Sequence, residues 1–178
     1  MQHQSKPDQE QTYTVTIRPI NDVTQRKSLQ EALARIDEMN KQLEYFYSTI
    51  SVGYKEATEL LSTLQKARLI KEEPHKERTD QSVMTYLDLL HAIKIEIERE
   101  RVILESLQSA QEEKTIEIYE PAPTNFDDFV RQKIKNTKVQ TKKIESSLRV
   151  SFSRYQHWIN QTITRLNHLQ KMYVPATS

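Results

Sequence analysis

From Thr24 to Lys71 the chain holds no proline and one glycine, Gly53, and apolar residues recur in it every seven positions. Leu29, Ile36, Leu43, Ile50, Ala57 and Leu64 form one line, and Leu33, Asn40, Tyr47, Tyr54, Leu61 and Arg68 alternate with them. Read as heptads, the first line is d and the second a. Six heptads without a slip predict a helix over residues 22–71, about 72 Å long at about 1.5 Å per residue, with coiled-coil-like packing and a left-handed supercoil. Asp22 or Thr24 serves as the cap at its start. Asn40, polar at an a position, is the kind of residue that sets register. Met39, Phe46 and Leu60 fall on g, so the apolar face is wider than a two-stranded seam and suits three or more helices. Tyr45, Phe46 and Tyr47, with Tyr54 beyond, surround Gly53, whose missing side chain marks a kink or a close helix approach.

Gly53 is also the only glycine in all 178 residues, where usual usage of about 7% brings roughly twelve. With so few residues for φ > 0 turns, sandwiches, barrels and doubly wound sheets are disfavoured. Phosphate-cradling loops, dinucleotide fingerprints and nucleophile elbows lose the glycines they need. The absence of cysteine removes thiol nucleophiles, thiolate zinc sites and disulfides. A hydrophobic fraction of 36% against 29% charged residues fits helices with narrow apolar stripes.

Around that first helix, residues 1–11 read as a disordered arm. Tyr13, Val15 and Ile17 alternate with polar residues up to Pro19, and Thr115 to Glu120 alternate again before Pro121, two short segments that pair as a ribbon. The charged, proline-bearing stretch 72–78 reads as a loop. A second helix is predicted over 79–113, apolar nearly all round in its first half and therefore buried between neighbours. After Pro123, Thr124 and Asp127 carry a capping signal for a third helix over 124–173, with residues 175–178 as a tail. Its stripe runs through Val130, Ile134, Thr137, Thr141, Ile144, Leu148, Ser151 and Tyr155 to Ile159, Ile163, Leu166 and Tyr173. The expected fold is all-α: an elongated antiparallel bundle of three long coiled-coil-like helices in one domain, with a short two-stranded β-ribbon.

Charge is segregated along the chain. Residues 1–71 carry ten basic and nine acidic side chains, residues 72–120 six and thirteen, and residues 121–178 ten and three. The formal net charge of +1 is thus a cancellation of −7 against +7. Glu98, Glu105 and Glu112 lie seven apart on the second helix, and Arg131, Lys135, Lys138, Lys142 and Arg149 form a basic row on the third. If the chain reverses near residues 117–123, Glu112 meets Arg131, Glu105 meets Lys138 and Glu98 meets Lys142, each exposed pair contributing about 0.2 to 1 kcal/mol and selecting orientation. The competing reading of the row is a nucleic-acid or anionic-membrane surface, although no aromatic residue is interleaved with it.

Few constellations carry chemistry. No histidine among His3, His75, His91, His157 and His168 has another at i+3 or i+4, and His157 and His168 are about 16 Å apart along a helix. Asp88 and His91 have the i, i+3 spacing of carboxylate-bridged di-metal bundles, yet the second pair such a centre needs is missing. Asn160-Gln161-Thr162 fits N-x-T inside a predicted helix and reads as chance. His91-Ala92-Ile93-Lys94 resembles the H-x-L-K core of histidine phosphotransfer domains, four-helix bundles with the phospho-accepting His on a helix surface. It departs from that pattern at Ile95, where the family carries glycine; the plain alternative is a surface His on a buried helix. Asp22-Val23-Thr24-Gln25-Arg26-Lys27, with Leu29 to Leu33 following, is similar to the D-I-T-E-R-K tail with which PAS sensor domains enter their signalling helix. That resemblance implies a dimeric signalling coiled coil, and its alternative is a cap followed by a first helical turn.

The expectation from sequence is a non-enzymatic scaffold, adaptor or assembly subunit that binds protein partners through helical surfaces and forms a homo-oligomer, a dimer first of all. No catalytic residue, cofactor or metal site is expected. The assembly residues are Asn40, Tyr47, Tyr54, Tyr155 and Trp158. A signalling module, by phosphotransfer or a PAS-type helix, and nucleic-acid or membrane binding by the third helix are the alternatives. With no apolar run near 18 residues and no apolar core in residues 1–10, a cytoplasmic location is expected.

Overall fold

The computed structural model describes residues 11–73 and 75–173. The arm expected over residues 1–11 lies, apart from Gln11, outside them, as do Pro74 of the loop and the tail at 175–178. The chain is an all-α bundle of three helices packed against one another, with a two-stranded sheet. In order, β1 is Tyr13–Ile17, α1 Val23–Lys66, α2 Lys76–Ser109, β2 Lys114–Ile118 and α3 Phe126–Tyr173. The ribbon expected from the two alternations is present: β1 pairs antiparallel with β2, Tyr13 opposite Ile118 and Val15 opposite Ile116. Ile17 and Ile118 are fully buried, so the ribbon keeps one face dry.

Two compact units divide the helices between them. The first comprises residues 11–38 and 96–142 and includes the ribbon; the second comprises residues 39–95 and 143–173. In the first, Lys138 of α3 reaches Glu31 of α1 and Lys133 reaches Glu100 of α2. In the second, Gly53 of α1 lies against Ile159 of α3, and Tyr86 of α2 donates to the Leu148 carbonyl of α3 at 3.0 Å. In the second unit, Phe46 against Phe152 and Gly53 against Ile159 make α1 and α3 parallel, and Tyr86 at Leu148 with Ser82 at Tyr155 makes α2 antiparallel to α3.

The d line is core: Leu29, Ile36, Leu43, Ile50, Ala57 and Leu64 are all at most 2% exposed. The second line is different from the expected one. Ala32, Met39 and Phe46, on g, are buried, whereas Tyr47 is 43% exposed and Leu33, Asn40 and Tyr54 are half-buried; toward the end of α1 the expected line returns, with Leu61, on a, 1% exposed and Leu60, on g, half-buried. Both lines satisfy a 3–4 spacing from d, so periodicity alone does not choose between them. Packing does: the g side faces α3, where Phe46 stacks on Phe152 with centroids 4.4 Å apart, and the a side turns toward α2, where Tyr54 bonds Asp80.

Helix ends follow local chemistry. The Asp22 carboxylate accepts from the Thr24 N–H at 2.9 Å, capping α1. α1 stops at Lys66 and not at Lys71, although no glycine or proline intervenes. Arg68 adopts the left-handed conformation at φ 59°, and Leu69 N–H bonds to Leu64 C=O while Arg68 N–H bonds to Gln65 C=O, both at 2.9 Å. That is a Schellman closure with arginine in the usual glycine position, held by Leu69 folding back on the Leu61, Leu64 and Leu166 cluster. α2 starts three residues earlier and ends four earlier than expected. α3 is capped by Asn125, whose side-chain Oδ1 accepts from Asp127 N–H at 2.8 Å, and not by Thr124.

The expected pairing of acidic α2 with the basic row of α3 does not occur. Glu105 is bound by Arg101 of its own helix, Arg131 by Asp128 and Lys138 by Glu31, and Glu112 lies beyond the end of α2. With Lys133 opposite Glu100, Glu105 lies level with the first turn of α3 and not with Lys138. Of the basic row, Lys138 reaches an α1 carboxylate and Arg149 lies over the α1 ring of Phe46.

Candidate functional site

In the second unit, α1 and α2 leave a groove of about 330 Å³ lined by Leu43, Glu44, Tyr47 and Ser48 from one helix and Leu90, His91 and Lys94 from the other. Leu43 and Leu90 are core residues that floor it; Tyr47 and the exposed His91 form its walls, with the opposite charges of Glu44 and Lys94 on facing helices. On α2, Met84, His91 and Ile95 stand at i, i+7 and i+11, so they share one outward stripe. Met84 is 55% and Ile95 47% exposed. An aromatic ring and two aliphatic side chains thus face solvent beside a charge-flanked furrow.

Away from the groove, aromatic residues join the helices of this unit. Tyr54 stacks near Trp158, with centroids 5.6 Å apart, and its hydroxyl donates to Asp80, which also receives Lys76 at 2.8 Å. Burial, then the Asp80 hydrogen bond and charge, push the Tyr54 phenol well above its ordinary range. Burial by itself would raise the Asp80 carboxyl, but the hydrogen bonds from Lys76 and Tyr54, with the Lys76 charge, outweigh it and hold the group below the usual carboxylate range. Tyr86 and Tyr155 pack at 5.1 Å, the Tyr155 and Ser82 hydroxyls share a hydrogen bond at 2.6 Å, and burial raises the Tyr86 phenol as well.

Of the residues expected on an assembly seam, Tyr54, Tyr155 and Trp158 make these contacts inside the chain, and Tyr47 lies on the open groove. Asn40 is half-buried, with its Oδ1 shielded and without a hydrogen-bond partner among the described residues. In the basic row, Lys138 is held by Glu31; Arg149 pairs with Glu145 at 3.0 Å and lies over the Phe46 ring; Arg131 pairs with Asp128. Lys135 and Lys142 are exposed.

Lys133 escaped the sequence reading. Its side chain is 4% exposed and its ammonium meets Glu100 at 3.0 Å and Glu120 just after β2, tying the ribbon to α2 and α3. The available signal was its place on the apolar stripe, three residues after Val130 and four before Thr137. Among the described residues no group of three or more His, Asp or Glu is placed to hold a metal, and no helix is long and apolar enough to cross a membrane. Compared with protein-family models, curated proteins and solved structures, the chain matches none.

Proposed function

We propose that this chain is a non-enzymatic scaffold or assembly subunit that binds protein partners through its helical faces, with the α1–α2 groove receiving one amphipathic helix of a partner. The observation that carries the reading is Tyr47, a 43% exposed aromatic ring on the wall of a leucine-floored groove. Exposed tyrosine beside exposed aliphatic residues is the composition of binding hot spots. A groove between two helices takes a third helix through apolar side chains at i, i+3/i+4 and i+7. Glu44 on one wall and Lys94 on the other specify the ligand's charge: basic residues along one flank of its apolar stripe and acidic ones along the other.

Display of a helical peptide library against the full chain tests this. Enriched peptides should carry that stripe and charge order, protect the groove segments of α1 and α2 in hydrogen exchange, and lose about tenfold or more in affinity with Tyr47→Ala, roughly 1.4 kcal/mol. Enrichment without a helical pattern, or binding indifferent to both Tyr47→Ala and Glu44→Lys, overturns it. Phosphoryl labelling of His91 that disappears in His91→Gln would move the reading to phosphotransfer.

A further inference from the structure

Two exposed faces of the first unit carry opposite charge at identical spacing. On α2, Glu98, Val102 and Glu105 stand at i, i+4 and i+7; on α3, Lys135, Val139 and Lys142 stand at the same intervals. At these intervals three side chains share one helix face. Val102 is 55% and Val139 51% exposed, so each face is an aliphatic centre flanked by two like charges, acidic on one helix and basic on the other.

The chain does not satisfy these faces internally. α3 meets its neighbours through other lysines, Lys138 to Glu31 and Lys133 to Glu100 and Glu120. Among the described residues no ion pair engages Glu98, Lys135 or Lys142, and Glu105 is bound only by Arg101 on its own helix. Like charges seven residues apart along one helix oppose burial until opposite charges arrive, and two exposed valines gain from being covered together.

We propose that the Glu98–Val102–Glu105 face of one copy docks on the Lys135–Val139–Lys142 face of a second copy. Because the contact joins unlike patches, each copy offers both halves, and a two-fold dimer makes the contact twice. Valine meets valine at the centre, and four carboxylate–ammonium pairs per dimer surround the two centres as e/g charges surround a coiled-coil seam. The association is steered by charge and weakens as the Debye length falls from about 10 Å at 0.1 M salt to about 3 Å at 1 M. This proposal extends the assembly reading above but is independent of the groove: Tyr47→Ala leaves it intact, so the two can fail separately.

Molar mass of the full chain, by light scattering across a concentration series at low and high salt, is the test. The expected result is a shift from 21.1 kDa toward twice that value with concentration at low salt, reversed by 1 M salt. Glu98→Lys/Glu105→Lys and Lys135→Glu/Lys142→Glu should each stay at the monomer mass with unchanged helical circular dichroism, and an equimolar mixture of the two should recover the dimer. Should a reversal variant fold poorly, Val102→Ser/Val139→Ser replaces it, with an expected weakening of fivefold or more. A wild-type monomer at all concentrations, or single reversals that leave the mass unchanged, overturns the proposal. So does salt-sensitive binding of DNA or anionic vesicles that Lys135→Glu/Lys142→Glu abolishes without changing the mass, which would assign the basic face to nucleic acid or membrane.

Discussion

In the second unit the described ring–ring contacts are all found: Tyr45, Phe46 and Phe152 together, Tyr54 with Trp158, and Tyr86 with Tyr155. In the first unit two aromatic rings meet guanidinium groups, Arg18 over Phe126 and Arg99 over Tyr119, and the helices are tied by Lys133, Lys138 and the Arg101–Asp37 pair. One unit is aligned by stacked rings with phenol hydrogen bonds, the other by ions and a β-ribbon. The lesson is that the same three helices can be aligned by two chemistries, one resting mainly on ring packing and the other on ion pairs that salt screens more strongly.

The sharpest way to break that comparison is Phe152→Ala. It removes the ring stacked on Phe46 and leaves a cavity, with an expected cost of about 3–5 kcal/mol, read from urea unfolding followed by Trp158 fluorescence. The ionic counterpart is Lys133→Ala. Loss of one partner of a fully buried pair costs about 3–5 kcal/mol; here the expectation is about 2–3 kcal/mol, because Glu120 remains 56% exposed and is rehydrated. Lys133→Met, which keeps the stem, should cost less than Lys133→Ala in the same unfolding measurement, and equal costs would show that charge rather than stem packing holds the ribbon.

Next in size, Tyr86→Phe removes the hydroxyl donor that the Leu148 carbonyl accepts beside its own helical N–H, an expected loss of about 0.5–1.5 kcal/mol. The tyrosines also set a pH limit. The Tyr54 and Tyr86 phenols are raised in the folded state, so their contribution is fully present below the ordinary phenol range near 10 and is lost as pH rises beyond it. Stability should fall above about pH 10, and Tyr54→Phe with Tyr86→Phe should flatten that limb. Asp80 has the opposite sign: lowered in the fold, it contributes above the ordinary carboxylate range near 4 and loses that contribution as pH falls through it, so Asp80→Asn should flatten the acid limb.

The smallest effects probe the backbone. Arg68→Gly relieves a left-handed arginine and should stabilise by about 1 kcal/mol. Gly53→Ala gains about 1 kcal/mol of helix propensity, but its Cβ would stand 3.0 Å from Ile159 Cγ2. Thermal melting should therefore move little for Gly53→Ala alone, and more when Ile159→Val, which keeps Cγ2 but removes Cδ1, eases the neighbour's adjustment.

Much of this was legible along the chain. The three helices, the ribbon and the d line are set by local periodicity, because only one phase of Leu29 to Leu64 buries those side chains together. The α3 stripe through Val130, Thr137 and Leu148 is legible for the same reason. Tyr47 was visible as an aromatic at a heptad position, but its exposure was not, since that depends on how far α2 covers the a side. His91 was noticed through a four-residue resemblance; that it lines a groove with Tyr47 required the register between α1 and α2.

By itself the sequence determined an all-α architecture. A single glycine, no cysteine and breaker-free amphipathic stretches leave few other ways to satisfy backbone hydrogen bonds while burying apolar side chains. Tertiary structure decided which flank of each helix is inside, which charges meet and where α1 ends. Those outcomes depend on the offset between helices: a shift of α3 against α2 changes every pair while leaving each helix's own periodicity untouched. Hence Glu105 lies level with the start of α3 instead of Lys138, Phe46 lies inside where Tyr47 was expected, and Leu69 folds back over Leu64 to stop a helix that carries no breaker.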